Sequence, residues 1–130
     1  MTPLRLSLAI GVCVAIAGCD RFPFAACGQS VERAIDVEVT DSRTGQWIAS
    51  GAFGFIQDGK YVDTLQIAGW RGSPPNDTIT TLGAGLGRAG TYVVQIARPG
   101  YATWRRTGVR AREGTCGVVT TRLRATLEAR

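Results

Sequence analysis

Ile35-Asp36-Val37-Glu38-Val39 alternates apolar with charged side chains, and that period of two decides the fold class. Successive side chains of an extended chain point to opposite faces, so Ile35, Val37 and Val39 share one face while Asp36 and Glu38 share the other. One face is built for a core and the other for water. The run ends at Asp41-Ser42-Arg43-Thr44-Gly45, where turn-forming residues replace the alternation. The same signature returns downstream. Tyr92, Val94 and Ile96 alternate with Thr91 and Gln95, and Leu123, Ala125 and Leu127 alternate with Arg122, Arg124 and Thr126.

Between these runs the sequence predicts strands over Ala52–Ile56, Tyr61–Ile67, Asp77–Leu82 and Ala102–Arg112. Asp58-Gly59 reads as a tight hairpin, with further turns at Pro99-Gly100 and Glu113-Gly114. Ala68–Arg88 is rich in glycine and contains Pro74-Pro75, so it reads as a long loop with the weakest strand. Seven short strands separated by turns predict an all-β protein, a seven-stranded antiparallel sandwich of Greek-key, Ig-like form.

Composition narrows the chemistry. The chain has 130 residues, 45% apolar and 19% charged, which suits one modest domain. Histidine is absent, which removes the commonest general base, the usual metal ligand and every histidine-activated nucleophile. Asp36 with Glu38, and Asp58 with Asp63, read as solvated faces and turns, so no catalytic residue, metal or cofactor is expected. The formal charge is +5, and Lys60 is the single lysine among 15 basic residues. The arginines are scattered along the sequence without interleaved stacking aromatics, so nucleic acid is not an expected partner.

The first residues have a different character. Arg5 precedes an apolar run from Leu6 through Ala17, the charged and apolar regions of a secretory signal. That run meets Asp20 and Arg21 too early to span a bilayer, which takes about 20 apolar residues. Ile16-Ala17-Gly18-Cys19 resembles the lipobox of bacterial lipoproteins. Residues 1–18 are therefore expected to be a cleaved signal peptide, 19–30 a lipidated tether and 31–130 the folded domain. Small Ala17 and Gly18 suit the peptidase cleft, and the Cys19 thiol is the group that can form the thioether to diacylglycerol. Acyl chains such as palmitate bury roughly 0.8 kcal/mol per methylene, so the expected partner is the membrane, reached through the N-terminal lipid. The expected location is the cell envelope, facing the periplasm. Asp20 resembles the signal that retains enterobacterial lipoproteins in the inner membrane, and the choice of membrane stays open.

Of the four cysteines, Cys13 leaves with the signal and Cys19 takes the lipid. Cys27 and Cys116 remain in an oxidising compartment, where a disulfide is the expected state.

Val37-Glu38-Val39-Thr40-Asp41-Ser42-Arg43-Thr44-Gly45 resembles the first strand and turn of carboxypeptidase regulatory-like domains. Ala89-Gly90-Thr91-Tyr92-Val93-Val94 and Arg98-Pro99-Gly100-Tyr101 resemble that family's later strand pair, so the likeness covers about residues 34–127. It implies a transthyretin-like sandwich used as a folding or binding module, its motifs encoding turns and core tyrosines, with no ligand residues to carry over.

If strands alternate in direction, the first and seventh begin at the same end, which brings Cys27 and Cys116 together. Eight residues from Cys19 to Cys27 reach at most about 28 Å, so the bridged end is expected to face the membrane. The far end would then carry the turns holding Trp47, Trp70, Tyr101, Arg43, Arg71 and Arg98. Aromatics beside arginines on loops are what binding hot spots use. The expected binding rim is Trp70, Arg71, Trp47, Arg43 and Arg98, with Trp70-Arg71 at its centre. Tyr101, Trp47 and Trp104 also suit structural roles, as a corner residue and covers of the core. The expected function is a non-catalytic, membrane-anchored binding or assembly module with an envelope protein or glycan as partner. A carbohydrate or peptidoglycan binder is expected if Trp47 and Trp70 are exposed and coplanar, and a purely structural envelope protein if the aromatics are buried.

Overall fold

The computed structural model describes Cys27, Gly28 and residues 30–130; the signal segment 1–18 and Cys19 lie outside the described residues. The chain forms β1 (Arg33–Asp41), β2 (Phe53–Asp58), β3 (Tyr61–Thr64), β4 (Gln66–Arg71), β5 (Thr78–Leu86), β6 (Gly90–Ala97), β7 (Trp104–Ala111), β8 (Glu113–Gly114), β9 (Gly117–Val118) and β10 (Thr121–Leu127). One sheet has the order β10-β1-β5-β4, a second β3-β2-β6-β7, and β8-β9 make a small ribbon. The protein is all-β, with two four-stranded sheets enclosing one core.

The alternation that announced β1 is what fills that core. Ile35, Val37 and Val39 are wholly buried, and they meet Ile56, Tyr92, Val94 and Ile96 from the opposite sheet. Each such aliphatic side chain contributes roughly 1.5–3 kcal/mol over remaining in water. Asp36 and Glu38 face outward, as their parity requires, and pair with Arg33 and Arg124 at 2.9 Å each.

The strand count and directions differ from the sequence reading. Eight strands form the two sheets, and β1 pairs with β10 in parallel, from Ile35 opposite Thr121 to Asp41 opposite Leu127. Tyr61–Ile67 is not one strand in one sheet. It divides at buried Leu65, whose N–H donates to the Gly54 carbonyl at 3.0 Å while the chain passes from the second sheet to the first. Hydrophobic period does not reveal such a switch, because both halves remain extended.

Nor is Ala68–Arg88 a loop with one weak strand. It supplies most of β4 and all of β5, and β5 lies inside its sheet. Glycine there serves close approach: a Cβ at Gly83 would strike the Asp36 carboxylate and the Arg33 side chain, which lie across the strand. The hairpin at Asp58-Gly59 forms as expected, with Asp58 opposite Tyr61 and Gly59 at φ +59°. Glu113-Gly114 is strand rather than turn, pairing with Gly117 and Val118.

Cys27 and Cys116 are joined by a disulfide with Cα atoms 5.2 Å apart, within the ordinary span of such bonds. β1 starts after Cys27 and β10 after Cys116, so the parallel pair rises from this bridged end toward the far one. The bridge closes a sequence separation of 89 residues. Replacing both cysteines by serine should lower unfolding free energy by about 4–5 kcal/mol in the chain-entropy description. Urea denaturation checks this, and an unchanged midpoint would show that the bond carries none of the fold's stability.

Candidate functional site

At the far end of the sandwich, the first turn is organised by one carboxylate. Asp41 ends β1, and its Oδ1 accepts the N–H of Arg43 at 2.8 Å and of Thr44 at 3.0 Å. Its Oδ2 accepts the Tyr101 hydroxyl at 2.7 Å. Gly45 then adopts φ +70°, the left-handed conformation that closes such a turn, and its N–H donates to the Asp41 carbonyl at 2.9 Å. The Tyr101 hydroxyl, with help from the Thr44 and Arg43 amides, lowers the Asp41 carboxyl from 3.8 to about 2. The same hydrogen bond raises the Tyr101 phenol above its ordinary 10.0. Tyr101 is a corner residue packed on the core, in keeping with its expected structural role.

Arg98 belongs to this corner. Its Nε donates to the Ser50 carbonyl at 3.0 Å, and its guanidinium lies 5.2 Å from the Tyr101 ring centre. Arg43 is exposed and is fixed through its backbone amide on Asp41. These two expected rim residues therefore share the Asp41–Tyr101 turn.

The other three lie at a second corner of the same end, where Arg71 meets Trp47. Trp47 is half-buried and held beside β1: it bridges Thr40, and the next amide, Ile48, donates to the Val39 carbonyl at 2.9 Å. Arg71 ends β4 and lays its guanidinium 5.3 Å from the Trp47 ring centre. Trp70, the preceding residue on β4, is 59% exposed and projects to the opposite face, on the side of its partner Ile79. Trp47 is thus capped by a cation and stands apart from the residues packed on the core, whereas Trp104 does pack there, with the Arg106 guanidinium 5.2 Å from its ring centre.

Two other features have no counterpart in the sequence reading. Arg88 follows β5 and lies 4.0 Å from the Tyr61 ring centre, donating to Asp58 at 3.0 Å and to the Tyr92 hydroxyl at 3.3 Å. The Tyr92 hydroxyl in turn donates to the Arg88 carbonyl. This cluster ties β6 to the β2–β3 hairpin, and no local spacing in the sequence marks it. On the outer face of the first sheet, a depression of about 440 Å³ is lined by Asp36, Glu38, Thr81, Arg122 and Arg124. Asp36 is ion-paired with Arg33 and Glu38 with Arg124, the latter an exposed pair worth at most about 1 kcal/mol. Among the described residues there is no group of three or more Cys, Asp or Glu that could hold a metal ion.

Asp41 gives the far end a defined acid response. Its folded-state value lies below 3.8, so its stabilising contribution is complete above about pH 4 and is lost as pH falls toward about 2. Tyr101→Phe removes the largest cause and should move the Asp41 carboxyl midpoint up toward 3.8, read by carbon-detected NMR titration. A midpoint that stays near 2 would contradict the assignment. No family model matches this chain, and no curated protein matches it in sequence.

Proposed function

We propose that this protein is a lipid-anchored envelope protein whose β-domain is a non-catalytic binding module, held by its bridged end and presenting its far end to a partner. One observation carries this reading: the Cys27–Cys116 bridge and the Trp47–Arg71–Trp70 corner lie at opposite ends of the sandwich. Cys19 is eight residues before Cys27, a reach of at most about 28 Å. A thioether-linked lipid at Cys19 would therefore draw the bridged end to the membrane and leave Trp70 facing away from it.

The carboxypeptidase regulatory-like, transthyretin-like Greek-key reading belongs to the same proposal. Support comes from the positions of its motif residues. Tyr92 is wholly buried, Gly45 and Gly100 take positive φ at their turns, and Tyr101 anchors the corner between β6 and β7. A non-catalytic role is supported by the occupation of the carboxylates. Asp36, Glu38 and Asp58 are ion-paired, Asp41 holds a turn, and Asp63 accepts the Gly85 amide at 2.9 Å.

An arginine stacked on a tryptophan, with an exposed tryptophan on the other face of the same strand end, offers the residue types of a protein-binding hot spot. The narrower glycan reading asks for two free, coplanar indoles. With Trp47 beneath Arg71, Trp70 alone is open for stacking, which favours the broader reading.

Cys19→Ser should abolish incorporation of radiolabelled palmitate, and persistent labelling would end the lipoprotein reading. Trp70→Phe should remove most of the tryptophan emission quenched by acrylamide, because Trp70 is the most open indole at 59% exposure. Quenching that survives the substitution would remove Trp70 from the rim.

A further inference from the structure

Resting on the tethered reading above, we infer that the bridged end carries a site for a phosphate ester with a neighbouring primary ammonium, the headgroup of a zwitterionic phospholipid. A depression of about 490 Å³ opens where β6 begins and β7 ends, lined by Gly90, Thr91, Arg110, Arg112 and Glu113. Arg110 and Arg112 are two apart along the chain, on either side of buried Ala111, which sends both outward together. Among the described residues neither guanidinium has a carboxylate within ion-pair distance, although Glu113 lines the same depression. Two unpaired guanidiniums and a threonine hydroxyl suit phosphate oxygens, which arginine can engage by paired N–H donors. The unpaired Glu113 carboxylate beside them suits an ammonium group. The charge pattern is that of a zwitterion's complement, and it is more specific than a basic patch.

The surroundings favour a lipid source over free phosphate. Val31 before β1, Leu86 at the end of β5 and Val119 before β10 all belong to this end and are 61%, 63% and 45% exposed. The adjoining outer face of the second sheet adds Val62 and Val93, which flank Gln57 on both sides in register. Aliphatic side chains around a headgroup-sized cation–anion site are what the interfacial layer of a bilayer accommodates. The same ribbon that supplies Glu113 carries Cys116, so the disulfide fixes this site close to where the tether enters.

The test is an NMR titration of the whole protein in dodecyl maltoside, with glycerophosphoethanolamine in one arm and inorganic phosphate in the other. The signals followed are the Thr91 amide and the Arg110 and Arg112 Nε–H groups. Glycerophosphoethanolamine should saturate the site at least about tenfold below the concentration phosphate needs, and Arg110→Ala with Arg112→Ala should weaken it by about tenfold or more. Glu113→Gln should bring the two ligands close to equal. The remaining amide spectrum reports that each variant is folded. Equal binding of the two ligands by the unaltered protein, or no movement of the Thr91 amide in either arm, overturns the inference. Acylation of Cys19 is read separately by mass spectrometry of the same sample, so loss of the tether and loss of the site are told apart.

Discussion

The parallel pairing of β1 with β10 is the constraint on which the rest of the structure depends. It joins the first and last long strands along seven consecutive pairs, from Ile35–Thr121 to Asp41–Leu127. Parallel strands start at the same end, so this pairing brings Cys27 and Cys116 to one end and lets them bond. It also fixes Asp41 and Leu127 together at the other end, where the Ser42 amide donates to the Leu127 carbonyl at 2.9 Å. The first and last long strands are thereby held together at both extremes of the sandwich.

Each end then acquires its own chemistry. The far end is polar at one corner, where Asp41 joins three donors from two loops, and aromatic at the other, where Arg71 covers Trp47 and the preceding residue, Trp70, is exposed. The bridged end combines exposed aliphatic side chains with an arginine pair and one carboxylate around a shallow depression. The length of the strands separates the two ends.

Much of this was legible in the sequence, for reasons particular to each element. β1, β6 and β10 are half-buried strands, and half-burial writes itself as alternation. The 61–71 segment was harder, because a strand that changes sheets at Leu65 keeps its extended pattern throughout. β5 was obscured by Gly83 and Gly85, which read as loop residues but make room for the Arg33–Asp36 pair and for Ala34 with Ile56. The rim was partly legible: Arg71 does reach Trp47, whereas Trp70 alternates to the other face of β4, and Arg98 and Arg43 serve the Asp41 turn. Arginines thinly spread along the sequence are regrouped by the topology, and the two-residue spacing of Arg110 and Arg112 was the signal that could have been read.

The tryptophans and the single lysine make the orientation measurable without added sites. Trp47, Trp70 and Trp104 all lie toward the far end, while Lys60 sits in the β2–β3 turn at the bridged end. With the protein reconstituted in vesicles containing headgroup-level nitroxide lipids, a dye on Lys60 should be quenched while tryptophan emission is spared. Tryptophan quenched as strongly as the Lys60 dye would mean that the domain lies on its side or stands inverted, and would contradict the tethered orientation.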